Sequence, residues 1–311
     1  MEKVNNLDKK KLLVVGGTGF IGTHLVKEAL TRGFQVSVIS NNDKSLTDRF
    51  DDVEYLLIDI SHQENLFNQL KDKSFHYVIN LGGYIDHANY FDGGDKVFDI
   101  HFNGTKNLVN CINKNDLISF VQIGSSDEYG NNIAPQSEHL RELPISTYSF
   151  AKTAATHFLQ MLNRTEDFPV IILRLFLVYG PGQDHNRFIP QVIQGCLRDK
   201  QFPVSQGEQL RDFCYVSDIV NSIFLSIDNS EVYGEVINIA SGNQISIKEV
   251  IIMIQNIIGL GNPKFGKIFY REGENMSLYA DISKANNLLN WTPLVTFEEG
   301  IKRTIDSFIE N

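Results

Sequence analysis

The stretch KLLVVGGTGFIG, Lys11–Gly22, decides the fold. Its opening run of apolar residues lacks the alternation of a half-buried strand, and so reads as a strand covered on both faces. Gly16, Gly17, Gly19 and Gly22 follow, and the chain then turns amphipathic through Leu25, Val26, Ala29 and Leu30. A strand that passes through glycines directly into a helix lets the backbone approach a ligand closely and offers it free amides and the positive end of the helix dipole. That arrangement suits the pyrophosphate of a dinucleotide. Gly16, Gly19, Phe20, Ile21 and Gly22 are therefore the expected cofactor-binding residues of this loop.

Working outward, strand-like runs recur with helix-like segments between them: residues 34–40, 53–59, 76–83, 118–124 and 170–178. Alternation of this kind predicts an α/β chain built on a doubly wound parallel sheet with helices on both faces. Beyond Tyr179 the pattern changes to YGPGQDHNRF and a polar, glycine-bearing stretch. A dinucleotide-binding domain is expected over residues 11–180, with a returning strand near 235–240, and a smaller substrate-binding lobe over 181–311.

The residues after the second strand bear on the choice of cofactor. Ser40, Asn41 and Asn42 stand there with Asp43 one step later, and no arginine follows at once to hold a 2′-phosphate, although Lys44 is present. NAD is favoured over NADP. Asp59 and Ile60, after the third strand, are placed to reach the adenine, and Leu81, Gly82 and Gly83, after the fourth, to line the cofactor's path.

Composition narrows the remaining classes. Of the 311 residues, 42% are hydrophobic and 21% charged, ordinary values for a globular chain, and no apolar run approaches the length of a membrane helix. The N-terminus shows no separate apolar leader segment, so a cytoplasmic protein is expected. A formal charge of −10 argues against a general nucleic-acid surface. Cys111, Cys196 and Cys214 are far apart, the histidines lack ligand spacing, and no metal site is expected.

Two further segments carry chemistry. In STYSFAKTAATHFLQML, Tyr148 and Lys152 stand one helical turn apart, which puts phenol and ammonium on one face. A free phenol titrates near about 10, and a neighbouring ammonium favours its anion. Such a tyrosine can take a proton from a hydroxyl while hydride leaves the same carbon. In IGSSDEYG, Ile123–Gly130, two hydroxyls and two carboxylates follow an apolar run. They are either a catalytic edge or the polar cap of a strand.

VVGGTGFIG, FVQIGSSDEYG and Tyr148-Ser-Phe-Ala-Lys152 together resemble the extended short-chain dehydrogenase/reductase family, in its NAD-dependent epimerase/dehydratase branch acting on nucleotide sugars. RLFLVYGPG, the Arg211-Asp212-Phe213 element, NIASG and ADISKANNLLNWTP have counterparts in the same order, so the likeness covers nearly the whole chain. It implies a Rossmann-type fold, an NAD cofactor, a nucleotide-diphosphate sugar as substrate, and a homodimer formed through helices at about 95–113 and 147–163.

The resemblance also assigns roles. It places Ser125 at the catalytic hydroxyl, with Ser126 as the second choice, beside Tyr148 and Lys152. The family's 4,6-dehydratases use the next two positions for elimination; here these are Ser126 and Asp127, and Glu128 falls where an apolar residue is usual. Asp127 is shorter than the glutamate of those enzymes, which makes dehydration less favoured. Arg211, Arg271 and, less strongly, Arg187 are implied to hold the diphosphate. Phe176, Leu177 and Val178 lack an asparagine that some members carry there, and His101 stands where asparagine is usual. The resulting expectation is an NAD-dependent sugar-nucleotide oxidoreductase working at C4, followed in order by a 4-epimerase and a 4,6-dehydratase.

Overall fold

A computed structural model of the chain describes residues 9–41, 49–270 and 274–310. Strands β1 (Lys11–Val15), β2 (Gln35–Ser40), β3 (Val53–Leu57), β4 (Tyr77–Asn80), β5 (Ser119–Ser125) and β6 (Val170–Leu175) are interspersed with helices α1 (Phe20–Thr31), α2 (Gln63–Leu70), α3 (Asp95–Phe98), α4 (Gly104–Cys111) and α5 (Thr147–Glu166). Then follow β7 (Leu177–Tyr179), α6 (Phe188–Leu197), β8 (Gln201–Pro203), β9 (Leu210–Arg211), β10 (Phe213–Tyr215), α7 (Val216–Ser226) and β11 (Val236–Ile239). The chain ends with β12 (Ile245–Ser246), α8 (Ile247–Ile258), β13 (Asn262–Lys264), β14 (Ser277–Leu278), α9 (Ser283–Leu289) and α10 (Phe297–Ile309).

A seven-stranded sheet runs in the order β11-β6-β5-β4-β1-β2-β3. Its registered pairs are parallel, with Val14 opposite Val38 and Val15 opposite Asn80. This is the Rossmann-type, doubly wound sheet expected from the alternation. Strand order reverses between β1 and β4, and ligands of such sheets bind outside the carboxyl ends of the strands at that reversal. The loops after β1, β4 and β5 all open there.

Contacts divide the chain into two units. The first comprises Met1–Glu128, Pro144–Leu173 and Ile223–Val236; the second comprises Tyr129–Leu143, Arg174–Ser222 and Ile237–Asn311. In the first, β1 is apolar because both of its faces are covered: Leu12, Leu13, Val14 and Val15 are buried. The core continues through Ile39, Val78, Phe120, Leu159 and Ile172. In the second, Tyr129, Phe176, Ala240 and Ala280 form a buried cluster, and the fully buried Trp291 donates its indole N–H to the Asp218 carbonyl oxygen at 3.1 Å.

The chain orders α5 by both of its ends. Ser146 caps it by accepting the Ser149 N–H at 3.1 Å, while Ser149 Oγ accepts the Ser146 N–H at 2.9 Å. Asp167, in the left-handed region at φ 53°, stops it. Ala151, Ala155 and Leu159 are buried, and the two alanines let the helix come close to the strands. Burying Leu159 contributes roughly 1.5–3 kcal/mol relative to exposure.

Two stretches differ from the sequence reading. The single strand expected over 170–178 ends at Leu175; β7 then pairs in parallel with β10, Leu177 opposite Phe213. An unbroken apolar run carries no mark of where a strand changes partner. The helix expected over about 95–113 is divided, because a wider helical turn over Asp99–Asn103 joins α3 to α4. Widened turns of this kind are frequent at functional sites. Among the described residues, no helix is long and apolar enough to cross a membrane.

Candidate active site

The glycine loop is shaped by contacts that leave no room for side chains. A Cβ on Gly22 would lie 2.3 Å from the Gly16 carbonyl oxygen and 2.6 Å from Gly17 Cα. One on Gly17 would meet the Val38 methyls at 2.7 and 2.9 Å, and Gly16 has φ +77°. Gly19 caps α1 without a side chain, and the first turn of the helix carries no acidic residue. With neither a capping side chain nor an acidic residue at that end of the helix, the loop fits a dinucleotide pyrophosphate. Gly22→Ala forces the loop open and is expected to weaken NAD binding by at least about tenfold, measured by calorimetry. Unchanged affinity would show that the cradle is not the binding element.

The neighbouring strand ends are tied to this loop. Thr18 Oγ1 and Ser40 Oγ are 2.9 Å apart, which links the glycines to the end of β2. Asn41 is exposed, and Asn42, Asp43 and Lys44 lie outside the described residues. Asp59 accepts the Ser61 amide and hydroxyl at 2.9 and 2.7 Å, and Ile60 is buried. After β4, buried Asn80 shapes the next loop: its Oδ1 accepts the Gly82 N–H at 3.0 Å while its Nδ2 donates to Gln122 at 2.9 Å. Leu81 N–H donates to the Val15 carbonyl at 3.0 Å. The Leu81–Gly82 peptide thereby lies against Gly16, whose added Cβ would touch it at 3.2 Å.

The loop after β5 separates its two carboxylates. Glu128 is fully buried; Oε1 accepts the Ser125 N–H at 2.8 Å and Oε2 accepts the Thr156 hydroxyl at 2.9 Å. It is a structural cap for the strand end. Asp127 instead stays partly exposed, its N–H donates to Ser125 Oγ at 3.2 Å, and its Oδ2 lies 3.7 Å from His87 Nε2. Ser125 and Ser126 are both buried. Of the two carboxylates, Glu128 thus caps the strand end, while Asp127 is left partly exposed beside His87.

Tyr148 and Lys152 both project from the buried face of α5. Lys152 Nζ donates to the Ile123 carbonyl oxygen at 2.8 Å and lies 6.0 Å from the centre of the Tyr148 ring. Burial pushes the Lys152 ammonium down to about 8, against the Glu128 charge, which raises it. Two imidazoles stand edge-on to the Tyr148 ring, His101 at 5.0 Å and His87 at 5.7 Å between centres. His101 Nε2 lies 2.8 Å from the Tyr84 carbonyl oxygen, which can only accept, so Nε2 carries the proton. Burial, helped by the Lys152 charge, pushes this histidine down to about 3 and keeps it neutral. Gly83, at φ +116°, makes room for the ring, since a Cβ there would fall 2.1 Å from His101 Cε1.

The structure therefore brings Ser125, Asp127, Tyr148 and Lys152 together within the first unit, with Ser126 next in the chain. A phenol beside a desolvated ammonium and a serine hydroxyl can bond a reacting oxygen and exchange its proton. His87 was not singled out in the sequence. The signal was there: a polar Asp86-His87 pair in the loop after β4, at the carboxyl end of the sheet where ligands of this architecture bind.

The proposed phosphate residues are less alike than the sequence suggested. Arg211 is paired with Glu274 and also donates to the Leu210 carbonyl oxygen at 2.9 Å. Arg187 is exposed at the start of α6. Arg271 lies outside the described residues.

Comparison with known proteins agrees with this geometry. The profile of the NAD dependent epimerase/dehydratase family matches residues 12–240. A putative UDP-glucose 4-epimerase of Methanocaldococcus jannaschii is 29% identical over 309 residues, 95% of this chain and 97% of its own length. A UDP-N-acetyl-alpha-D-glucosaminuronate decarboxylase of Bacillus cytotoxicus is also 29% identical, over 97% of this chain and 98% of its own. The crystal structure of UDP-glucuronic acid 4-epimerase from Bacillus cereus, in complex with UDP-glucuronic acid and NAD, matches with a TM-score of 0.85 at 28% identity, covering 96% of this chain and 99% of that one. The matched segment holds the glycine loop, Ser125, Tyr148 and Lys152, and with them the chain is an NAD-dependent enzyme that belongs to the NAD dependent epimerase/dehydratase family.

Proposed function

We infer that the chain is a nucleotide-sugar 4-epimerase, acting on a uridine-diphosphate sugar through reversible oxidation at C4. The observation that carries this reading is the burial of Tyr148 and Lys152 on one face of α5 beside Ser125. Both the Methanocaldococcus relative and the Bacillus cereus structure bear 4-epimerase names, which supports epimerisation over the net oxidation that ranked first on sequence alone. Dehydration draws less support, because Glu128 is spent on Ser125 N–H and Thr156.

NAD, held by the glycine loop, would supply the hydride acceptor and donor for the ring carbon. The chain's own residues handle the proton. Ser125 Oγ and Tyr148 Oη bond the C4 oxygen, and Tyr148 takes its proton as the alkoxide forms and gives it back afterwards. Lys152 holds positive charge beside the phenol and favours its anion. Arg211, with Arg271, holds the diphosphate, for which a guanidinium fork is suited.

The test is to incubate the purified enzyme and NAD with UDP-glucose, UDP-galactose and UDP-glucuronic acid, and to follow product by mass spectrometry and proton NMR. The expected product has unchanged mass, an inverted C4, and no net consumption of NAD. A product lighter by two hydrogens with reduced cofactor would make it a dehydrogenase. Loss of water or of carbon dioxide would equally overturn the epimerase reading.

A further inference from the structure

We propose that His87 and Asp127 together hold one free hydroxyl of the sugar, on a carbon beside the one that reacts. The idea deepens the function proposed above and rests on it.

His87 Nε2 and Asp127 Oδ2 are 3.7 Å apart, with side chains 44% and 31% exposed. A direct N–H···O bond spans about 2.7–3.2 Å, so this pair falls short of one. An oxygen seated to one side of the pair can lie about 2.8 Å from each partner. A hydroxyl is the sugar group that can accept from an imidazole N–H and donate to a carboxylate at the same time. A carboxylate or carbonyl cannot donate to Asp127, and a methyl group can do neither.

The pair also stands where such a hydroxyl has to be. Asp127 is bonded through its amide to Ser125 Oγ at 3.2 Å, and the His87 ring meets the Tyr148 ring at 5.7 Å. The two groups that bond the reacting oxygen are thus flanked by the two that bond its neighbour. Ser146 Oγ, at the cap of α5, lies 3.5 Å from His87 Nδ1. With the proton on Nε2, the ring presents its donor to the gap. For reaction at C4, the neighbouring hydroxyl is that of C3 or the exocyclic one of C6.

The experiment measures kcat and KM for the UDP-hexose and for its 3-deoxy and 6-deoxy analogues, with wild type, His87→Phe and Asp127→Asn. Wild type is expected to lose about 10- to 100-fold in kcat/KM on one deoxy analogue and little on the other, which identifies the carbon. His87→Phe keeps an aromatic ring against Tyr148 but lacks the donor. It should lose a similar factor on the parent sugar and suffer no further loss on that analogue, with NAD affinity and melting temperature unchanged. Asp127→Asn removes the acceptor charge and should behave in the same direction. Indifference of the wild type to both analogues, or full discrimination retained by His87→Phe, would overturn the proposal. Calorimetric binding of the same sugars to the NAD-loaded protein reads the same preference without turnover, so an enzyme that fails to epimerise them sinks the proposed function while still testing the hydroxyl clamp.

Discussion

Tyr148→Phe is expected to lower turnover by about 10³-fold while the protein still binds NAD with affinity within about tenfold of wild type. The substitution removes one oxygen. Phenylalanine keeps the edge-on contacts with His101 and His87, so the ring stays in place and the fold with it. What is lost is the group that exchanges the proton of the reacting hydroxyl; Ser125 can donate but is a far weaker base as an alcohol, and His101 is buried and neutral and donates its proton to the Tyr84 carbonyl oxygen. The variant is checked by single-turnover kinetics with the cofactor pre-bound. Activity close to wild type would remove Tyr148 from the chemistry.

Lys152→Met is expected to separate activity from stability. The ammonium is buried and its pKa is pushed down to about 8 from the ordinary lysine range, chiefly by burial. A group that prefers the neutral form once folded is a burden below the folded pKa. The unfolded chain holds that proton up to about pH 10.4, the folded chain only to about 8, so wild-type stability should rise as pH climbs through that window. The full difference is on the order of 3 kcal/mol, partly offset by the hydrogen bond to Ile123 that methionine also removes. Thermal melts of the two proteins compared from pH 7 to pH 10 isolate this group from every other that titrates there. Methionine should give the higher melting temperature at pH 7, with the gap closing toward pH 10, and turnover should fall by about 10³-fold because the phenol has lost its neighbouring charge. A gap that does not depend on pH would mean that Lys152 is not the strained group.

The parts of this site that were legible in the sequence are those written in a period. The glycine loop announces itself by a change from strand to helix pattern within a few residues, and Tyr148 and Lys152 by a one-turn spacing. Ser125 came from the family resemblance, aligned forward from Phe120 and backward from Tyr129. The parts that were not legible depend on contacts across long separations or on burial that a charged residue does not advertise. Glu128 is open in the sequence between a catalytic edge and a polar cap, and it turns out to lie inside the strand end. Arg211 meets Glu274 across 63 positions, and no local pattern joins them. His87 sits in an irregular loop whose path is set by Asn80 and Gly82 rather than by any repeat. The move of β7 away from β6 was hidden in one apolar run for the same reason: strand partners are a property of the sheet and leave no local trace.

Glu128 also limits what can be exchanged between this chain and the proteins it resembles. Where the family usually places an apolar residue, this protein uses both oxygens of a carboxylate, one for the Ser125 amide and one for the Thr156 hydroxyl. Its charge also counters the desolvation of Lys152. Grafting a relative's loop in place of Ile123–Gly130 would orphan an amide and a hydroxyl and leave an ammonium with less support, even if every residue that touches sugar were copied correctly. The loop and the middle of α5 form a single structural module, and a transplant that alters specificity has to carry position 156 along with position 128.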